Sequence, residues 1–221
     1  MQKFNTPSPI TAVIDIPAGR VQLIAADRAD TTVEVRPADP ASGRDVKAAE
    51  RITAAYADGV LRVEAAAANR VLGSSGSVEV TVQLPVGSQA EGKAASAEFR
   101  TVGRLGDVTL DAAQATVKVD EAATARLTLQ SGDVTIGRLA GDAEIRTGKG
   151  RIQVAEAAAG RLVLDTQDGD IEVVAAAGTS AALDAGTTHG RIHNALKNAE
   201  ATPGLTIHAT TARGDITARS R

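Results

Sequence analysis

Ser131-Gly132-Asp133-Val134-Thr135-Ile136 decides the fold, because its core, a glycine, then Asp or Arg, then Val or Ile, returns five more times. The occurrences are Gly106-Asp107-Val108, Gly132-Asp133-Val134, Gly150-Arg151-Ile152, Gly169-Asp170-Ile171, Gly190-Arg191-Ile192 and Gly214-Asp215-Ile216. Successive glycines are 26, 18, 19, 21 and 24 residues apart, the length of one coil of a β-solenoid and too long for a hairpin. After each tripeptide the aliphatics alternate with polar residues, as in Arg151-Ile152-Gln153-Val154 and Asp170-Ile171-Glu172-Val173, so each is a half-buried strand. A second set of short strands precedes the glycines: Leu127-Thr128-Leu129, Ala143-Glu144-Ile145, Leu162-Val163-Leu164, Ala181-Ala182-Leu183 and Leu205-Thr206-Ile207. Two strands per coil, joined at glycine-led corners, predict an all-β, single-stranded solenoid.

The composition bounds the core. Of 221 residues 43% are hydrophobic, yet Phe4, Tyr56 and Phe99 are the only aromatics and the single Met is Met1. Ala, Val, Leu and Ile must fill the interior, which suits a narrow lumen of stacked small side chains. One elongated domain over residues 1–221 is expected, with regular coils over 91–221. Residues 1–90 read as an N-terminal β cap with first irregular coils, built from Thr11–Ile16, Arg20–Ala25, Thr31–Arg36, Leu61–Ala65 and Ser77–Leu84. Such a cap protects the backbone groups of the first rung. Asp58-Gly59 between two alternating segments predicts a hairpin, leaving at most one helical turn near residues 45–50. Gly73-Ser74-Ser75-Gly76-Ser77 reads as a loop.

Net charge is −3, from 24 basic and 27 acidic residues without a polybasic run, which argues against nucleic acid as a partner. No apolar run approaches the roughly 18 to 20 residues of a membrane helix, so direct membrane insertion is not expected. The first residues, Met1-Gln2-Lys3-Phe4-Asn5-Thr6-Pro7, lack the apolar stretch of a signal peptide, and a cytoplasmic location is the expectation. Zero cysteines remove disulfides, thiol catalysis, Cys-based zinc sites and lipid attachment through Cys.

The second residue of the tripeptide is Asp107, Asp133, Arg151, Asp170, Arg191 and Asp215 in turn, and from Asp133 onward its sign alternates. With coils stacked in chain order about 4.8 Å apart, Arg151 is expected between Asp133 and Asp170, and Arg191 between Asp170 and Asp215. This charge ladder avoids like charges on neighbouring strands and sets register. The turn glycines are Gly106, Gly132, Gly150, Gly169, Gly190 and Gly214.

Other chemistries have weaker support. Asp168-Gly169-Asp170-Ile171-Glu172 resembles a fragment of a calcium loop but lacks the Gly-Gly-x-Gly-x-Asp order of calcium-binding rolls. His189, His193 and His208 fall in the last two coils; residues four apart on a strand are about 13 Å distant, so no metal site and no cofactor is expected. Sugar-cleaving solenoids need a carboxylate pair in a groove, but this chain offers no aromatic platforms, nucleophile elbow or phosphate loop, and no catalytic residue is assigned.

The runs Ser131–Ile136, Asp168–Val173 and Thr211–Ile216 resemble the bacterial β-strand repeat family DUF4097, described as adhesin-like. Ile14-Asp15-Ile16-Pro17-Ala18-Gly19-Arg20-Val21 followed by Ala25-Ala26-Asp27 is similar to how its domains begin, and the Ala-, Arg- and Gly-rich composition resembles actinobacterial members. The resemblance implies one β-solenoid without catalytic residues, and some relatives are linked to envelope stress and antimicrobial-peptide sensing. Three functions follow as expectations. The first is a non-catalytic interaction or structural scaffold with an unknown protein or peptide partner, including end-to-end homo-oligomers through the final strand, Asp215–Ala218, guarded by Arg219 and Arg221. The second is an envelope-stress sensor binding an antimicrobial peptide or envelope component, favoured by a clustered acidic face. The third is a carbohydrate-active β-helix enzyme.

Overall fold

A computed structural model describes residues 1–65, 76–198 and 202–221. The chain is nearly all β, an open rather than closed arrangement of the solenoid-like type, and falls into two compact units, Met1–Ala115 and Thr116–Arg221. The loop expected at Gly73–Ser77 lies, up to Ser75, outside the described residues.

In the first unit the strands are β1 (Gln2–Asn5), β2 (Thr11–Ala26), β3 (Asp30–Pro37), β4 (Ile52–Ala57), β5 (Val60–Ala65), β6 (Val78–Pro85) and β7 (Gln89–Val102). Strand β2 is the hub. One of its edges pairs in parallel with β7 from Thr11 to Ile24, and the other pairs with β5 over Thr11–Asp15 and then with β6 over Gly19–Ala26. Strand β3 joins β6 and β1 antiparallel, and β4 joins β5 as a hairpin whose turn residues, Asp58 (φ 51°) and Gly59 (φ 79°), both have the positive φ that such turns need. Alternation along β2 buries Ile14, Val21 and Leu23, with Phe99 of β7 among the largest buried side chains.

One expectation is corrected here. The helix α1 (Gly43–Glu50) makes two turns where one was predicted. Ser42 caps it, its hydroxyl accepting from the Asp45 N–H at 3.4 Å, and the Asp45 carboxylate accepts from the Ser77 N–H at 3.0 Å. The second contact comes from 32 residues away, so local propensity could not show it.

The second unit holds the end of β8 (Arg104–Ser131) and β9 (Val134–Leu139), β10 (Ala143–Lys149), β11 (Ile152–Ala157), β12 (Gly160–Asp168), β13 (Ile171–Ala175), β14 (Ala181–His189), β15 (Ile192–Ala195), β16 (Leu205–Arg213) and β17 (Ile216–Ser220). All their pairings are parallel, in two faces. The first face runs β8, β10, β12, β16, β14; the second runs β8, β9, β11, β13, β17, β15. Each rung is one strand of each face joined at a glycine corner, and its alternate residues (Leu162, Leu164, Ile171 and Val173 in one rung) are buried. Burying each such side chain contributes about 1.5–3 kcal/mol.

Space and chain order part company at the end. The rung β16–β17 sits between β12–β13 and β14–β15, so the last rung of the chain is inside and the one before it is outermost. The linkers accommodate this. Three residues (140–142) and two (158–159) join neighbouring rungs, whereas five (176–180) separate the strands of two rungs that are not neighbours in space and nine (196–204) follow the outermost rung. The final strand, expected as the open edge, is therefore flanked by β13 and β15.

Candidate functional site

The corner column of the second unit brings together the residues of the repeated tripeptide. In space its glycines run Gly132, Gly150, Gly169, Gly214, Gly190, and the reason for glycine is close backbone approach. A Cβ on Gly150 would lie 2.1 Å from the Gly132 carbonyl oxygen, on Gly214 2.0 Å from that of Gly169, and on Gly190 1.9 Å from that of Gly214. Gly106 lies in the other unit, with a Cβ position 2.9 Å from the Gly87 carbonyl oxygen.

The residue after each glycine does more than alternate in charge. The Arg151 N–H donates to Asp133 Oδ1, the Asp215 N–H to Asp170 Oδ1 and the Arg191 N–H to Asp215 Oδ1, each at 2.8 Å. Each corner carboxylate thus holds the backbone of the next rung, a charge-assisted bond that fixes register directly. Guanidinium contacts add to it: Arg151 to Asp170 at 3.3 Å and Arg191 to Asp215 at 3.0 Å. The Arg191 N–H foremost, and its guanidinium second, hold the Asp215 carboxyl below the usual carboxylate range.

The column contains all five residues expected of it, in a different order. Arg151 stands between Asp133 and Asp170 by register; Arg191 does not stand between Asp170 and Asp215, because Asp215 occupies that place and Arg191 is outermost. The Asp170–Asp215 neighbourhood is relieved by the Asp215 N–H on Asp170 and by the guanidinium groups of Arg151 on Asp170 and of Arg191 on Asp215.

Two parts of the site carry sequence signals that the alternating tripeptide does not include. Thr147, Thr166, Thr187 and Thr211 each precede a corner glycine by three residues. Their hydroxyls donate to the glycine carbonyl oxygens of a neighbouring rung: Thr166 to Gly150 at 3.1 Å, Thr211 to Gly169 at 3.0 Å and Thr187 to Gly214 at 3.1 Å. The opposite corner repeats the carboxylate device, since the Arg161 N–H donates to Asp142 Oδ1 at 2.8 Å, and Gly141-Asp142-Ala143 and Gly160-Arg161-Leu162 are its glycine-led signals.

The histidines are spread out: His189 ends β14, His193 lies on β15, and His208 on β16 places Nδ1 3.0 Å from Asp184 Oδ2. Among the described residues no group of three or more His, Cys, Asp or Glu is arranged to hold a metal ion, and no helix is long and apolar enough to cross a membrane. In the first unit Asp30 has its carboxyl lowered to about 2, by Arg28 first and Lys3 second. What these groups do is clamp strands together.

The outermost rung differs from the rest. Among the described residues β14 pairs only with β16 and β15 only with β17, leaving one edge of each without a strand. Ile192 is 46% exposed there, whereas Ile152 and Ile171 at the equivalent register are buried.

The family model described as Toastrack DUF4097 matches residues 10–219. The chain belongs to this family. Two solved structures are similar to this chain in fold. One, titled a "putative adhesin" from Bacteroides fragilis, is 13% identical with a TM-score of 0.59, covering 98% of this chain and 95% of its own. The other, titled "putative adhesin" from Parabacteroides distasonis, is 12% identical with a TM-score of 0.50 and the same 98% and 95% coverage. No curated protein matches the chain in sequence.

Proposed function

We propose that this Toastrack chain is a non-catalytic interaction scaffold that takes a protein or peptide partner on its outermost rung. One observation carries the reading: the inner rungs of the second unit have strand partners on both sides, while among the described residues β14 and β15 each have a strand on one side only; the start of β14 is covered by the Ala181 N–H bond to the Lys197 carbonyl, and β15 carries the exposed Ile192. Strand addition to such an edge supplies main-chain hydrogen bonds for affinity and side-chain positions for specificity. The corner carboxylates support the non-catalytic reading, because Asp133, Asp170 and Asp215 each accept a backbone N–H, and Asp170 and Asp215 also meet the guanidinium groups of Arg151 and Arg191.

The test is affinity capture in the native host, with and without envelope stress, using the whole chain beside an Ile192→Lys variant. A partner held by the former and lost by the latter is the expected outcome. Recovery of no specific partner under either condition overturns the scaffold.

A further inference from the structure

The chemistry of the outermost rung names the class of segment it would take. We propose that the free edge of β15 receives an extended, acidic strand in parallel, with a carboxylate side chain facing Arg191 and an aliphatic side chain covering Ile192. This rests on the scaffold reading above and deepens it.

The protein contains its own precedent in the same corner column, three rungs away. Arg151 and Arg191 follow equivalent glycines and each takes a carboxylate onto its backbone N–H, from Asp133 and Asp215 respectively, at 2.8 Å. Arg151 then sends its guanidinium to the rung on its other side, where Asp170 Oδ2 lies 3.3 Å away and Ile171 stands opposite Ile152. Arg191 has no such rung among the described residues. Its guanidinium turns back to Asp215 at 3.0 Å and its side chain is 89% exposed. Ile192 lacks the cover that Ile171 gives Ile152, and Ile152 is fully buried. The geometry at Arg191 is thus that of Arg151 with one acidic neighbour strand missing.

Charge points the same way. Between Ala181 and Asn198 the basic and imidazole side chains are His189, Arg191, His193 and Lys197, and the sole carboxylate, Asp184, is engaged by His208 at 3.0 Å. An acidic segment complements this edge, whereas a second copy adding the same rung would set Arg191 and His193 near their own counterparts. The Asn194 side-chain oxygen accepts the Leu196 N–H at 3.0 Å, a bond internal to this end of the chain.

The test uses a synthetic peptide copying Asp168–Ala175, whose Gly169-Asp170-Ile171 reproduces the precedent strand, titrated into the isotope-labelled whole chain and followed by amide resonances. Saturable shifts clustered at Gly190–Ala195 are expected. An Asp170→Asn peptide should bind about two- to fivefold more weakly, the worth of one exposed ion pair, and an Asp170→Lys peptide more weakly still. Arg191→Gln in the protein should erase the difference between the Asp and Asn peptides while leaving the shifts at Ile192, a cycle that isolates the pair. Equal affinity for all three peptides, or shifts elsewhere, overturns the acidic-strand assignment. Concentration-dependent broadening of the same amides without peptide would show a second copy on the edge and overturns it equally. A partner captured in an Ile192-dependent way alongside charge-blind peptides would leave the scaffold standing and only this assignment lost.

Discussion

The rungs β16–β17 and β14–β15 are built from the same repeat, yet the protein puts one inside and the other at the end. Their inward positions explain the choice. Leu205, Ile207, Ala209, Ile216 and Ala218 are all buried in the former, whereas the latter offers half-buried Leu183 and Ala185 and exposed Ile192 and Asn194. An Asn held between two rungs without a partner costs about 1–3 kcal/mol, and leaving Leu205 and Ile207 at an open end forfeits part of about 1.5–3 kcal/mol each. Charge argues on a smaller scale. Chain order would set Arg191 against Asp170; the observed order sets Arg213 against Asp168 instead, and exposed pairs of this kind are worth about 0–1 kcal/mol. Core sorting therefore outranks charge alternation.

The hardest break of this comparison is a cross-link, because its outcome is all or none. Asp165 and Thr210 are register partners, and Thr210 pairs in turn with Gly186, so Asp165 and Gly186 are two rungs apart. Neighbouring strands place Cα atoms at about 4.8 Å, within disulfide reach, and strands two apart at roughly twice that. In a chain without native cysteines, Asp165→Cys with Thr210→Cys should oxidise to a single intramolecular bond, while Asp165→Cys with Gly186→Cys should not. The reverse pattern on non-reducing mass analysis would restore chain order.

A smaller effect sharpens the comparison. Ile207→Ala removes a side chain that is 1% exposed and should cost about 2–5 kcal/mol in denaturant unfolding. Leu183→Ala removes its register partner on the outer rung and should cost about 1 kcal/mol or less, since that side chain is already half in water. Equal costs would mean that the two rungs are equally covered.

These contrasts also mark where the sequence is legible. The corner glycines are readable because stacked backbones two ångströms from a would-be Cβ admit nothing else, and the strands because their alternation has one period. The Asp58-Gly59 hairpin is a local device and reads locally. Rung order is not local. Sequential strands usually neighbour one another, and the signals against it are faint: Asn194 at an inward position and the long connection 196–204. The Thr-x-x-Gly column is written plainly before Gly150, Gly169, Gly190 and Gly214, but hydroxyl-to-carbonyl bonding across rungs leaves no mark on hydrophobic periodicity. The carboxylates looked like partners for arginine alone; their larger role, accepting the backbone N–H of the next rung, depends on a stacking offset that residue types do not reveal.

The smallest expected effect concerns the seam between the two rungs, where Asp215 of the inner one holds Arg191 of the outer one. Its carboxyl is lowered in the folded chain, first by the Arg191 N–H and then by the guanidinium. A carboxyl depressed on folding binds protons more readily in the unfolded state, so its contribution is fully present above the unfolded value of about 3.9. That contribution is lost as pH falls through the lower folded value. Carbon-detected titration of the Asp215 side chain should therefore show a midpoint below that of an ordinary aspartate. In Arg191→Gln it should move up only partway, because the backbone N–H, the larger cause, survives the substitution. Asp215→Asn should flatten the acid side of the stability curve, and more so for opening of the outer rung than for global unfolding. A midpoint in Arg191→Gln that returns fully to the ordinary value would assign the depression to the guanidinium and take from the backbone bond its place as the clasp between the rungs.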